Sequence, residues 1–443
     1  MENNKNKQMK KLGLFTLLCC GMTVFAQKSM EKDFSAIEDK VIEWRRYFHE
    51  HPELSNREFK TAEKIADHLK SLGIEVQTGV AHTGVVGVLK GNKPGKVVAL
   101  RADMDALPVT ERNDLPFKSN VTSEYLGSEV GVMHACGHDT HIAILMGVAE
   151  VLSKNKDKIK GTVKFIFQPA EEGAPPGEEG GAALMIKEGV LQNPDVDAIF
   201  GLHINSQTPV GMIRYKSGGT MAAAQRFVIN VKGKQSHGSQ PWSGVDPILI
   251  SAKIIDGLQT IISREMNLTN EAAVITVGKI TSGVRNNIIP ESAEIVGTIR
   301  TLDYDMQEQL NRRMKEMVSS IAEAYRGEAT TEIASGTAIT YNNPELVSQM
   351  IPTMEAVAGK ENVVVAKAVT GAEDFSFYQE KVPGFFFFLG GMTPGTTESY
   401  PHHTPDFRID DSGLLLGVKT LTAMSLDYLN SDKTPRLENQ PKG

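Results

Sequence analysis

The sequence predicts an α/β protein with a mixed, largely parallel sheet, interrupted by an inserted ferredoxin-like unit. Three observations point there. Short apolar strands alternate with helical stretches up to about residue 220. Acidic and imidazole side chains (Asp103, Asp105, Glu171, Glu172, His203) follow the C-terminal ends of those strands, the edge where open α/β sheets bind ligands. From 221 to 341 the order changes to β-α-β-β-α-β.

The elements follow in order. Residues 33–73 read as helical: Trp44, Tyr47, Phe48 and Leu54 fall among charges, and Ala62, Ile65, Leu69 and Leu72 recur at helical spacing. Gly84–Leu89 and Lys96–Leu100 are strands, the second running into Arg101-Ala-Asp-Met-Asp-Ala-Leu-Pro. An apolar helix covers 140–153, and the strand Gly161–Gln168 delivers Glu171 and Glu172. A helix begins over Ala183–Glu188, and Asp197–His203 is a short strand ending in histidine. The insert then reads as strand Gln225–Lys232, helix Asp246–Ser263, strands Ala272–Ile280 and Ala293–Arg300, helix Met306–Tyr325 and strand Thr330–Tyr341. A helix near Glu345–Val357, the strand Phe385–Leu389 and a helix near Gly413–Leu429 return to the first sheet. The expected domains are a catalytic part at 33–220 and 342–430, the insert at 221–341, and a polar tail at 431–443.

Composition bounds the function. A chain of 443 residues calls for two domains, and a net charge of -7 disfavours a nucleic-acid backbone as main partner. Lys5, Lys7, Lys10 and Lys11 precede the apolar stretch Leu12–Ala26, which is signal-peptide length and short for a membrane span. The expectation is a leader over 1–26 cleaved after Val24-Phe25-Ala26, and an exported, periplasmic mature protein. Cys19 and Cys20 would leave with the leader, so Cys136 would remain as a lone thiol in an oxidising compartment. Metal ligation or nucleophilic attack would employ it.

Cys136 sits in Met133-His-Ala-Cys-Gly-His-Asp-Thr-His141. Thiolate and imidazole two residues apart suit a mixed nitrogen, oxygen and sulfur metal site. His134, Asp139 and His141 crowd the same segment as candidate partners that orient the ligands. Glu171 and Glu172 are adjacent, so one carboxylate can bind metal while the other faces water. Asp103 and Asp105 share a face, either ligating or supporting a ligand. Clustered carboxylates at one sheet edge call for a cation. Taken alone, His237, Asn287, Arg300 and the pair His402-His403 read as loop or strand-surface residues.

The ordered motifs resemble the dinuclear metallo-amidohydrolases of the aminoacylase and carboxypeptidase metallopeptidase family. Within it they are most similar to the branch of hippurate hydrolases, N-acyl-L-amino-acid amidohydrolases and auxin-conjugate amidohydrolases. They are Trp44-Arg-Arg-Tyr-Phe-His-Glu-His-Pro-Glu-Leu, Leu100-Arg-Ala-Asp-Met-Asp-Ala-Leu-Pro, His134-Ala-Cys-Gly-His-Asp, Glu171-Glu-Gly, Gly201-Leu-His, Asn287-Ile-Ile-Pro, Gly297-Thr-Ile-Arg-Thr, Gly371-Ala-Glu-Asp-Phe and His403-Thr-Pro. The resemblance implies a metallo-exopeptidase-like catalytic domain, with the insert serving as lid and dimerisation domain of a homodimer. It implies two divalent metal ions, zinc or manganese with cobalt or nickel tolerated, held by Cys136, His138, Glu172, His203 and His403. It implies Glu171 as general base and His237 as a catalytic histidine reaching an active site, that of the other subunit. Asn287 and Arg300 match positions contacting the amide oxygen or substrate carboxylate. Other branches carry His-x-Asp where this chain has Asp103-Met-Asp105, so Asp105 is expected behind a ligand, as is Asp139.

The implied activity is hydrolysis of N-acyl-L-amino acids to a carboxylic acid and a free amino acid. The runner-up is a dipeptidase or carboxypeptidase. Two other classes compete. A cysteine hydrolase using Cys136 is opposed by the surrounding carboxylates, which raise a thiol pKa. A non-catalytic periplasmic metal- or peptide-binding protein has no use for the spare carboxylate of Glu171.

Overall fold

The computed structural model describes residues 30–437 apart from Thr397. The expected leader with Cys19 and Cys20, and the end of the polar tail, fall outside the described residues. Within them the chain forms two units. One comprises the chain up to Gly218, Asn342–Ala366 and the stretch from Phe377; the other comprises Gly219–Tyr341 and Lys367–Ser376. The sequence reading kept 342–430 in the first part throughout, whereas Lys367–Ser376 clusters with the insert. It is tied there by the Ala222 N–H, which donates to the Val369 and Gly371 carbonyls.

The first unit is built on an eight-stranded mixed sheet. Its strand order is Glu75–Val80, Gly84–Lys90, Lys160–Gln168, Lys93–Asp103, Ala198–Pro209, Gly384–Met392, Ile213–Tyr215, Val363–Val365. The central neighbours run parallel: Lys93–Asp103 pairs in parallel with Lys160–Gln168 and Ala198–Pro209, and the latter with Gly384–Met392. Residues 97–103 are buried without alternation, as expected of a strand covered on both faces. The helix His138–Lys154 is buried from His138 to Leu152 and packs with Leu414–Asn430 in the main core.

The expected helix over 33–73 is instead two helices, 30–50 and Phe59–Ser71. Pro52 restricts the residue before it to extended backbone. Leu54 then bridges Ala106, and Asn56 takes a left-handed φ of 59°. The short strands at Glu75–Val80, Ile213–Tyr215 and Val363–Val365 escaped the sequence reading, because their apolar runs are brief.

In the second unit the strands Ala273–Ser282, Ser292–Thr301, Ala223–Lys232 and Glu328–Ser335 lie in that order, all antiparallel. Helices Pro247–Thr260 and Tyr304–Ala324 cover one face. The longer buries Met306, Leu310, Met314, Val318 and Ala322, a strict four-residue spacing that makes a single stripe. Asp246 and Asp303 cap the two helices through their carboxylates. The last strand ends at Ser335, not Tyr341; Thr340–Asn342 pairs separately with Gly218–Met221.

Candidate metal centre

Six side chains from four stretches of the first unit converge at the sheet edge. Cys136 Sγ is 3.4 Å from His203 Nε2 and 3.2 Å from His403 Nε2. His403 Nε2 is 3.1 Å from Glu172 Oε1, and His138 Nε2 is 4.0 Å from the same oxygen. Glu171 Oε2 is 3.9 Å from His138 Nε2. Cys136, His138 and His203 form one group whose donor atoms all lie within 4.8 Å of one another; Cys136, Glu172 and His403 form another, and His138, Glu171 and Glu172 a third.

Local structure sets each side chain. Gly137 stands between Cys136 and His138 with φ of 94°. A Cβ there would meet Ile204 Cγ2 at 2.4 Å, so only glycine brings the thiol and the helix-starting histidine to one side. His203 Nδ1 donates to the Ile204 carbonyl at 2.6 Å, which leaves Nε2 as the lone pair facing Cys136. His138 Nδ1 donates to the Asp105 carbonyl at 2.9 Å, with Asp105 Oδ1 at 3.2 Å. His403 adopts φ of 63°, unusual for a residue with a Cβ, and its N–H donates to the Ala135 carbonyl at 2.8 Å.

The neighbours divide by their hydrogen bonds. Asp103 accepts from Arg101 at 2.7 Å and from His141 Nδ1 at 2.5 Å, and His141 Nε2 accepts the Ile204 N–H. Both nitrogens of the His141 ring are thereby committed to the protein. Asp105 also accepts from the Ser55 hydroxyl at 2.7 Å and the Glu172 N–H at 3.0 Å. It therefore stands behind two candidate ligands at once. Asp139 faces the other way, toward Arg45 at 3.0 Å and His49 at 2.8 Å. His134 is buried near Asp139, and burial lowers its pKa to about 4. His402 is spent on the backbone: Nδ1 donates to the Cys136 carbonyl and Nε2 accepts the Ser206 N–H.

Sequence reasoning gave no role of its own to His402, to Arg101 as the anchor of Asp103, or to the pair Arg45–His49. A charged Arg101 inside the apolar run Val97–Ala102 was the one available signal.

The donor set fits a divalent cation. His138 Nε2 is buried without a hydrogen-bond partner, 3.7 Å from Asp103, 3.9 Å from Glu171 and 4.0 Å from Glu172. Orphaned buried nitrogens of this kind are rare unless an ion or water meets them. The protein's own charges point the same way. Burial first, then Glu172 and Glu171, pushes the Cys136 thiol well above its ordinary range. Burial would lower His138, yet Asp103, Asp105 and Glu172 hold it up at about 10. A cation reverses both tendencies, favouring thiolate and neutral imidazole.

His237, Asn287 and Arg300 belong to the second unit. His237 is exposed in the short strand Ser236–His237, paired with Ile288–Ile289, and its Nδ1 accepts from the Ser239 hydroxyl at 2.8 Å. Asn287 offers its carbonyl to the Gly238 N–H, and Arg300 is half-buried opposite Ala224 and Val274.

Comparison with known proteins is consistent with this geometry. Residues 99–427 match peptidase family M20/M25/M40. The chain is 42% identical over 405 residues to thermostable carboxypeptidase 2 of Saccharolobus solfataricus, covering 91% of this chain and 99% of that protein. It is 35% identical to the N-acetyl-L-cysteine deacetylase of Bacillus subtilis, covering 93% and 94%. A dinuclear metal-binding peptidase of the M20 family from Bacillus subtilis superposes with a TM-score of 0.75 at 34% identity, covering 89% of this chain and 99% of that one. With its sheet-edge cluster of thiol, imidazoles and carboxylates, the chain belongs to peptidase family M20/M25/M40 and is a hydrolase of that family.

Proposed function

We propose that this hydrolase cleaves the amide bond of N-acyl-L-amino acids, releasing a carboxylic acid and a free amino acid. The observation that carries the reading is a second carboxylate beside a candidate ligand: Glu171 next to Glu172, 3.9 and 4.0 Å from His138 Nε2. A binding site alone has no use for that second carboxylate. Relatives named as deacetylase and carboxypeptidase support amide hydrolysis next to an amino-acid carboxylate.

Cys136, His138, Glu172, His203 and His403 would hold two divalent ions, zinc or manganese by the mixture of donor types. Bound, the ions supply Lewis acidity and bring the pKa of water down to about 7. Glu171 takes a proton from the attacking water and returns it to the leaving amine, a role worth roughly 10²–10⁴-fold. Asp105 holds His138 in the tautomer that offers Nε2, and fixes the Glu172 backbone. His237 is assigned to oxyanion stabilisation in the active site of a partner copy, and Asn287 and Arg300 to contacts with the substrate's oxygens. With Nδ1 turned to Ser239, His237 keeps an Nε2–H to donate. The basic-then-apolar start of the sequence supports export to the periplasm.

A panel of N-acetyl and N-benzoyl amino acids, assayed with and without chelator alongside elemental analysis, tests this. Chelator-sensitive release of amino acid is expected. Turnover of dipeptides alone would favour a dipeptidase, and no turnover with metal bound would favour a binding protein.

A further inference from the structure

The turn Glu53–Glu58, which begins at the end of the Trp44–Leu54 motif, is built around one loop. The Glu53 carboxylate caps helix Phe59–Ser71, accepting the Lys60 and Thr61 N–H groups at 3.2 and 2.9 Å. Glu58, at the cap position, therefore makes no side-chain cap bond. It turns inward instead, fully buried, and accepts the Thr83 hydroxyl at 2.5 Å and the Ala170 N–H at 3.0 Å. Ala170 has φ of 53°, a left-handed conformation that its Cβ disfavours, and directly precedes Glu171 and Glu172.

The same turn grips the far end of that loop. Asn56 Nδ2 donates to the Glu178 carboxylate and the Glu179 carbonyl, each at 3.0 Å, and Arg57 pairs with Glu178 at 2.6 Å. At Gly180 a Cβ would come within 2.9 Å of Asn56 Oδ1 and 3.1 Å of Ala170 Cβ, so the loop's two ends meet over this turn.

We propose that Glu58 and Asn56 are positioning residues, which pin the two ends of the loop 170–180 and so fix where Glu171 and Glu172 stand. The inference rests on the reading of those two carboxylates as base and ligand. Burial, with the charge of Asp105 adding to it, pushes the Glu58 carboxyl up to about 8. An amide at this position therefore copies both the shape and the neutrality of the group near pH 7.

Hydrogen exchange on the metal-free full chain, followed in the peptide spanning 168–174, tests the grip without substrate. Glu58→Leu and Asn56→Ala are expected to speed exchange there about tenfold or more, while helix His138–Lys154 keeps its protection. Glu58→Gln is expected to behave as the unaltered protein. Zinc affinity, read by competition with a chromophoric chelator, should fall in the first two variants, since Glu172 rides on the loop. With N-acetyl amino acids, kcat should drop by up to about 100-fold with KM little changed, and Glu58→Gln should restore it. If Glu58→Leu does not fold, Glu58→Ala and Asn56→Ala carry the comparison. Unchanged exchange in folded variants, or a loss of protection spread evenly over the sheet, overturns the proposal. A loosened loop in a chain that turns over no acyl amino acid would keep the grip and discard the hydrolase reading.

Discussion

Asp105 reaches His138 and Glu172 with a single carboxylate: Oδ1 is 3.2 Å from His138 Nδ1, and Oδ2 accepts the Glu172 N–H at 3.0 Å. One side chain thus orients an imidazole and a loop that come from 33 and 67 residues further along the chain. Partners of this kind typically account for 10–100-fold in metal affinity. Asp105→Ala should weaken zinc binding by about that factor, read by competition with a chromophoric chelator, with little loss of secondary structure. Equal affinity in the variant would show that the Asp105 carbonyl alone suffices to orient His138.

Cys136 gives a second prediction. A thiol pushed up by burial and by Glu172 and Glu171 is mostly neutral at pH 7, hence a poor nucleophile. Protein stripped of metal should react slowly with iodoacetamide near neutrality and faster only in strong alkali. Activity should follow chelator and not alkylator. Rapid alkylation at pH 7 with matching loss of turnover would instead make Cys136 the nucleophile.

Much of this cluster was legible because strand ends and helix starts are legible. Phe167, Leu202 and Ala102 end apolar runs, so Glu171, His203 and Asp103 had to stand at one sheet edge. His138 begins an apolar helix and Cys136 lies just ahead of its cap Gly137, and that places them too. What stayed hidden depends on docking between distant segments. Nothing local separates His402, bound to backbone, from His403, which faces Cys136; a left-handed φ at His403 decides it. Glu58 looks like an ordinary helix-starting acid until Thr83 and Ala170 close over it. The break at 51–58 had a local signal in Pro52, which the reading of 33–73 as one helical stretch passed over.

Glu171→Gln separates chemistry from binding. The amide keeps size and leaves Cys136, His138, Glu172, His203 and His403 in place, but cannot take a proton. Turnover should fall by roughly 10²–10⁴-fold while metal content by elemental analysis stays the same. Full activity would remove Glu171 from the base role and move attention to another carboxylate.

His49 carries the last prediction, on stability. Its ring is buried between two carboxylates, Nδ1 at 2.8 Å from Asp139 and Nε2 at 3.1 Å from Glu111. Burial and the nearby Arg45 charge push its pKa down, yet hydrogen bonds to Asp139 and Glu111 win, and the pKa is raised. The sign follows from linkage. A histidine whose folded pKa exceeds its unfolded value of about 6.5 adds stability in full below that value, and loses it as pH rises through the folded value. Asp139 acts in the opposite sense. Burial would raise it, but Arg45 and His49 hold it far below the carboxylate range. Its contribution is present above about pH 4 and is lost as pH falls through its folded value. His49→Gln removes the charge between the two carboxylates, and breaking one partner of a buried pair costs about 3–5 kcal/mol. The variant should therefore melt well below the unaltered protein at pH 6, and the gap between them should narrow as the pH is raised through the folded value of His49. A gap of constant size across that range would mean that His49 is neutral throughout and acts only by packing against Phe117, whose ring is 5.6 Å away.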